Sequence, residues 1–392
     1  MALRVGVVGC RGIGTTHATA HKNDKLAELV AVCDLVKSRA DELAAKFQVK
    51  AYYSLGDMLA NEDLDIVDVC TGGPENGGWH GEPTFQALEA GKHVLCEKPI
   101  SNDVEEAREM VKLAAKKDLY LGVNLNHYFT QPADEAMKLI KDGKIGEIIY
   151  CHLRTGFPGS EWAYARTGGP NMEGYPYFHV KAFLAHPFSI MRYFCGNICQ
   201  LQSFFSKPSY RIATADPMVS VNSIHMKFEN GAVGYMFSSR GDTTNYYGGW
   251  WSVEVGGTKG TFAIENCVEK LIYQPAQGNP DVVSPQGLGL APEPVITDYG
   301  VKDFGSTFPR RIHCFLEDVT NNVPKHKLRA SGRDALATLE YTFAAIQSYE
   351  NGGIMVRPKD LPFVKPDPNN LTLPKAPATP AANQPSTDVS VK

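Results

Sequence analysis

The chain lacks any apolar run near the ~20 residues of a membrane span, so a helical membrane protein is excluded. It also lacks a basic surplus. Lys and Arg total 39 against 43 Asp and Glu in 392 residues, a formal charge of −4. That argues against a general nucleic-acid binder, which needs a basic face. No charged region with a cleavage site precedes the first apolar segment, Leu3 to Val8, so no secretory signal is expected. The nine cysteines are an odd number scattered over a long chain, which speaks against a disulfide framework. Cys195 and Cys199 do not have a zinc-type spacing, no metal cluster is evident, and no internal repeat is present. These absences point to a soluble protein of the reducing cytoplasm. A composition of 43% hydrophobic and 21% charged residues fits a globular chain, and the length fits two domains.

The first 125 residues alternate strand and helix patterns. Strands are expected at Arg4–Val8, Glu28–Cys33, Asp65–Cys70, His93–Cys96 and Tyr120–Asn124. Helices are expected from the glycine cluster to His21, then at Val36–Phe47, Glu82–Ala90 and Asp103–Lys117, the last capped by Asn102. Such alternation makes a parallel sheet covered by helices. After Asn126 the pattern changes. A helix at Gln131–Lys141 leads to a strand at Ile145–Thr155, an aromatic-rich loop, a helix at about His179–Phe194, and then a series of β segments. Asn230-Gly231 between two of them is a hairpin signal, so the sheet should be mostly antiparallel. Residues 276–309 read as a loop, and Pro309–Val319 and Ser331–Glu350 as helices. The expected organisation is residues 1–125, 126–364, and a Pro-rich tail or arm at 365–392 with too little apolar content to fold alone.

Two features of the first half point to a dinucleotide. Val7-Val8-Gly9-Cys10-Arg11-Gly12-Ile13-Gly14 lies between the first strand and the first helix, where backbone N–H groups at a helix start can hold a pyrophosphate. Gly9 and Gly14 fit the first and third glycines of G-x-G-x-x-G. Arg11 holds the second, and Gly12 is left to supply the close approach. Gly9, Arg11, Gly12, Ile13 and Gly14 are therefore the candidate phosphate-binding turn. Asp34 ends the second strand, 20 residues beyond Gly14, where an acid receives the ribose hydroxyls. Its charge repels a 2′-phosphate, so NAD is favoured over NADP. Lys37 and Arg39 nearby temper that preference.

Cys96-Glu97-Lys98-Pro99 closes the next strand region at the sheet edge where ligands bind, with Lys98 held extended by Pro99. Here the sequence resembles the glucose–fructose oxidoreductase / inositol dehydrogenase family, often written Gfo/Idh/MocA. The resemblance rests on the glycine turn with Thr16-His17-Ala18, on Val67-Asp68-Val69-Cys70-Thr71 with His80 downstream, and on Gly91 to Pro99. Gly122-Val123-Asn124, and Trp251 to Val255 with Gly257 to Gly260, complete it. It implies an N-terminal Rossmann parallel sheet and a C-terminal α+β domain with a large open, mostly antiparallel sheet. It also implies hydride transfer between NAD(P) and a hydroxyl-bearing carbon of a sugar or cyclitol, and dimers or tetramers formed through the open sheet. Lys98 would reach the active site and Glu97 the nicotinamide ribose. Thr71, Gly72 and His80 would line the cofactor channel, and Asn126 would lie near the nicotinamide.

The family's Asp four residues before a His matches poorly. His186 takes the His position, but position 182 is Ala. His179 and Lys181 are the replacements at hand, with His179 nearly two helical turns from His186. His186 is favoured as acid/base, since imidazole titrates near neutrality, with Lys98 orienting the hydroxyl. The reverse assignment stays open. Trp162 and Tyr164, in the aromatic loop, fit the flat faces of a carbohydrate, beside His179, Lys181 and His186. The leading reading is an NAD-dependent sugar, glycoside or cyclitol dehydrogenase, with glycoside 3-oxidation as one form. A glycoside-cleaving or epimerising enzyme with tightly bound NAD, and a non-catalytic NAD-binding regulator, are the alternatives.

Overall fold

The short apolar runs of the first half become strands buried on both faces, the usual state of a parallel sheet. In the computed structural model, which describes residues 2–157, 175–213, 218–240, 249–276 and 292–361, six of them pair in parallel. They are β1 (Leu3–Val8), β2 (Ala27–Cys33), β3 (Lys50–Tyr52), β4 (Ile66–Val69), β5 (His93–Cys96) and β6 (Leu121–Val123). Their order is β3-β2-β1-β4-β5-β6, with helices α1 (Gly12–Asn23), α2 (Lys37–Phe47), α3 (Leu55–Asn61), α4 (Gly81–Glu89) and α5 (Val104–Lys116) between them. The order reverses between β1 and β4, which opens a crevice at the strands' carboxyl ends. Two details differ from the sequence reading. β3 and α3 were not expected, being only three and seven residues long. The cap of α5 is Asp103, which accepts from the Glu106 N–H at 2.8 Å, whereas Asn102 donates to Glu75.

The second sheet has eight strands. After α6 (Gln131–Lys141) come β7 (Ile148–Phe157), α7 (Phe178–Phe183), α8 (Ala185–Cys195), β8 (Ile198–Ser206), α9 (Ser209–Ala213), β9 (Val221–Phe228) and β10 (Val233–Arg240). Then follow β11 (Trp251–Gly257), β12 (Gly260–Glu265), β13 (Lys270–Pro275), β14 (Val295–Asp298), α10 (Thr307–Thr320) and α11 (Gly332–Glu350). The order is β14-β13-β12-β11-β7-β10-β9-β8, and every pairing is antiparallel except β7 with β10. β14 lies inside the stretch read as loop; all four of its residues are exposed, so it carries no burial pattern. The helix expected at His179–Phe194 is two, broken at Leu184, with Pro187 tolerated in the first turn of α8.

α10 comes from the far end of the chain yet packs on α1. Its Ile312, Phe315, Leu316 and Val319 join Val5, Leu29 and Ile66 in one core. At about 1.5–3 kcal/mol per fully buried apolar side chain, this helix is a substantial part of what holds the first sheet. It also brings Phe308 of its own first turn, and Phe304 just before it, to the crevice. Ser331 and Asp334 form the expected capping box on α11.

Candidate active site

The glycine turn has the geometry its residues require. Gly9 has φ +97°, and a Cβ there would lie 2.8 Å from the Cys70 backbone; one on Gly14 would strike the Gly9 carbonyl oxygen. A Cβ on Gly12 would meet nothing within 4 Å. Arg11 is the N-cap of α1 but makes no side-chain cap, so the first-turn N–H groups are left for a ligand. The Asp34 carboxylate accepts from the N–H groups of Cys10 and Val36, both at 2.9 Å, and so stands against the turn.

Beside the turn lies a cleft of about 250 Å³. Ile13 lines it from the turn, and Cys70, Thr71 and Gly72 from the end of β4. Asn76 and His80 come from the next loop, Glu97 and Lys98 from the end of β5, and Asn124 and Asn126 from the end of β6. His186 of α8 and the rings of Phe304 and Phe308 close it. A larger hollow of about 610 Å³, lined by His152, His225 and Tyr235 among others, lies on the open sheet and contains none of these groups.

Beneath the cleft is a buried ionic network. His17 on α1 bonds through Nδ1 to Asp68 at 2.9 Å and through Nε2 to Glu97 at 3.1 Å. His21, one turn on, bonds to Asp68 at 2.7 Å. Burial alone would lower the His17 pKa, but the Asp68 carboxylate lifts it well above 6.5. Burial would likewise raise Asp68 and Glu97, yet His17 draws both below the ordinary carboxylate range. Asn124 donates to Glu97 as well, and Glu97 accepts from the Lys98 N–H at 3.0 Å. His17, Asp68 and Cys70 bring their ligand-type atoms within 4.8 Å of one another, a juxtaposition the spacing of these residues did not reveal. Their donor and acceptor atoms are already used in hydrogen bonds, so the cluster reads as a network, not a metal centre.

The other wall is neutral. The Lys98 Nζ donates to the Ala182 carbonyl at 3.3 Å, across to α7. Burial lowers its pKa, with Glu97 opposing and Arg240 reinforcing. The Lys98–Pro99 peptide is cis. His186 meets His127, from the short 3-10 helix Asn126–Phe129, with 3.2 Å between their Nδ1 atoms. Burial pushes His127 down to about 3 and His186 well below 6.5, with the Lys98 charge acting the same way. His80 lies between the carbonyl oxygens of Pro99, 2.6 Å from Nδ1, and of Thr71, and burial lowers it too.

The structure thus brings together Ile13, Thr71, Gly72, His80, Glu97, Lys98, Asn126 and His186, with the glycine turn and Asp34 alongside. His179 and Lys181, expected beside the substrate, do not line this cleft. His179 is buried between α7 and β10, its Nε2 2.7 Å from the Ser238 hydroxyl and its ring stacked on Phe183. The Lys181 ammonium is taken by Glu75 at 2.5 Å. Trp162 and Tyr164 lie outside the described residues. Sequence reasoning missed Asn76, Asn124, His127, Phe304 and Phe308 as site residues. The Asn-Leu-Asn-His run after β6 was a usable signal, since polar side chains at a strand's carboxyl end face the crevice.

Residues 3–125 match the model of the oxidoreductase family with an NAD-binding Rossmann fold, and residues 134–263 match the GFO/IDH/MocA C-terminal domain. The inositol 2-dehydrogenase of Rhizobium meliloti (strain 1021) is 26% identical over 89% of this chain and 97% of its own length. The D-glucoside 3-dehydrogenase of Escherichia coli (strain K12) is 35% identical over 40% of this chain and 45% of its own. The fold is also that of the scyllo-inositol dehydrogenase of Lactobacillus casei solved with NAD(H) and scyllo-inositol. That match has a TM-score of 0.72 and 21% identity, and covers 92% of this chain and 100% of that one.

Proposed function

The chain belongs to the GFO/IDH/MocA family of NAD-binding oxidoreductases, and from that premise we propose that it oxidises a secondary hydroxyl of a sugar, glycoside or cyclitol, or reduces the matching ketone. The observation that carries the reading is the convergence of two proton-handling side chains, Lys98 and His186, on a cleft beside the glycine turn. The names of the inositol and glucoside dehydrogenases among its relatives support the substrate class.

The residues present fit NAD. The first turn of α1 is free of a side-chain cap, Gly12 leaves open space, and Asp34 is set to accept ribose hydroxyls and repel a 2′-phosphate. The buried Asn126 amide oxygen has no partner among the described residues, as suits a group facing a carboxamide. Bound NAD supplies the hydride acceptor. Glu97, fixed by His17 and Asn124, orients the ribose side of the cleft. Lys98 and His186 hold the substrate oxygen and take its proton, and the rings of Phe304 and Phe308 exclude water around them.

No helix among the described residues is long and apolar enough to cross a membrane. All nine cysteines are free, which supports a reducing cytoplasm as the place of work. The open, aromatic-bearing sheet face supports a homodimer or homotetramer.

The test is NAD reduction, followed at 340 nm, across a panel of inositols, glycosides and free sugars. One substrate class should be oxidised, with NAD preferred over NADP, and Gly12→Ala should weaken NAD binding about tenfold or more (about 1.4 kcal/mol) without lowering thermal stability. Conversion of a glycoside without dependence on added NAD would move the reading to a redox cycle. Failure to bind NAD at all would overturn it.

A further inference from the structure

We propose that His127 fixes the proton of His186 on Nε2, so that His186 offers the substrate oxygen a hydrogen-bond donor and Lys98 is the base. The inference rests on the reading of Lys98 and His186 as the proton-handling pair, and it divides the two roles.

The argument is a count of hydrogens. The Nδ1 atoms of His127 and His186 are 3.2 Å apart, so one must donate and the other accept. Both rings are buried, and among the described residues no carboxylate touches either one; position 182, where the family's Asp would stand, is Ala. What faces His186 is His127, Lys98 and the rings of Phe183 and Phe304. What faces His127 is His186, Lys98, Trp251 and Phe304. With only cationic or neutral neighbours, both imidazoles are neutral and each carries one proton.

The far side of His127 decides where those protons sit. Its Nε2 is buried with no partner among the described residues. If the His127 proton sat there, an N–H would be orphaned in an apolar pocket, which native structures very rarely allow. The proton therefore sits on Nδ1 and is donated to His186 Nδ1. His186, accepting there, carries its own proton on Nε2, the nitrogen left for the cleft. The same orphan speaks against a relay, since among the described residues a proton passed on to His127 has no group to receive it beyond.

A carboxylate partner would do the reverse. It would accept from Nδ1–H, bare Nε2 and raise its basicity. Here His186 Nε2 has no lone pair to offer. Lys98, which lines the same cleft and whose ammonium is disfavoured by burial, with Glu97 opposing and Arg240 reinforcing, is the group left to take the proton. In the oxidation, the substrate O–H proton passes to the neutral Lys98 amine, the C–H electron pair leaves as hydride to NAD, and the C=O bond forms. His186 Nε2–H steadies the oxygen through its alkoxide character. His127 is thus a positioning residue.

The experiment is long-range ¹⁵N–¹H correlation on the whole protein labelled at histidine, assigned with His127→Asn and His186→Asn, at about pH 7. The expected result is His186 as the Nε2–H tautomer and His127 as the Nδ1–H tautomer. His186 protonated on Nδ1, or found as a cation, overturns the proposal. This readout needs no turnover, so an enzyme inactive on every sugar would sink the proposed function and leave the tautomer result standing. In kinetics, His127→Leu should lower kcat/KM roughly tenfold, the worth of one oriented hydrogen bond, and His127→Asn should recover part of it. His127→Asp, an acceptor only, should add an acidic limb from His186 to the pH profile. A His127→Leu enzyme with unchanged kcat/KM and pH profile overturns the proposal.

Discussion

Lys98 stands between His17 and the His127–His186 pair, buried histidines that differ in charge state. On the first-sheet side, His17 is buried against Asp68 and Glu97 and is held as an imidazolium. On the second-sheet side, His127 and His186 are buried against each other and are neutral. Burial pushes every one of these rings toward neutrality, so burial does not explain the difference. Carboxylates do: among the described residues there are two around His17 and none around His186. The lesson is that Ala182 does more than omit a residue. It leaves the His186 wall of the cleft neutral, with its proton placement set by geometry, while Asp68 and Glu97 keep the His17 wall charged.

The strongest way to break this comparison is to remove the group between the walls. Lys98→Met should lower turnover about 10²–10⁴-fold, the usual worth of a positioned acid/base. NAD affinity, read by titration, should persist, because the glycine turn and Asp34 are untouched. Retained turnover would show that the charged and neutral walls share no catalytic centre.

Next in size is the charged wall itself. Asp68→Asn strips the carboxylate from between His17 and His21 and should destabilise the fold by about 3–5 kcal/mol, the cost of breaking a buried ion pair. The sign of its pH dependence follows from linkage. His17, raised in the folded state, contributes fully below its unfolded pKa of about 6.5 and loses that contribution as pH rises through the folded value. Asp68, depressed in the folded state, contributes fully above about 3.9 and loses it as pH falls. The Tm gap between wild type and Asp68→Asn should therefore be widest between about pH 4 and 6.5 and narrow toward pH 9. A gap that grows with pH would refute a charged His17.

The smallest change makes the neutral wall resemble the charged one. Ala182→Asp would set a carboxylate near His186 and Lys98 and should raise both pKa values by about 1–3 units. An acidic limb should then appear in kcat/KM, and the Lys98 limb should move up. If wild type already shows a histidine limb near neutrality, the neutral wall is misread.

Much of this was legible in the sequence, and the remainder was hidden for physical reasons. The parallel sheet could be read because β1, β2, β4 and β5 are buried on both faces and each is followed by a helix pattern. β3 and β14 escaped because they are short, with edges or faces too exposed to leave a period. The parallel pairing of β7 with β10 is a long-range fact with no local signature. The turn and Asp34 could be read because chain geometry fixes them at the strand ends; Glu97 and Lys98 stood out as a charged pair at a strand end, their roles implied by the family resemblance. Phe304 and Phe308 were not legible, since tertiary packing of α10 brings them in, whereas His127 sits in the polar run just after β6 and was legible but unread. Asp68, an acid inside Ile66-Val67-Asp68-Val69, did carry a signal: a charge in a central strand demands a partner.

Cys70 lines the same cleft, with its Sγ–H 3.5 Å from Asp68. Burial and the Asp68 and Glu97 charges hold its pKa far above that of a free thiol, the His17 charge notwithstanding. A thiol is reactive only as thiolate. The cleft therefore carries sulfur in its inert form, and alkylating reagents and mild oxidants that reach it will find a poor nucleophile. Burial first, and then the carboxylates that keep His17 charged, hold this thiol in its protonated form.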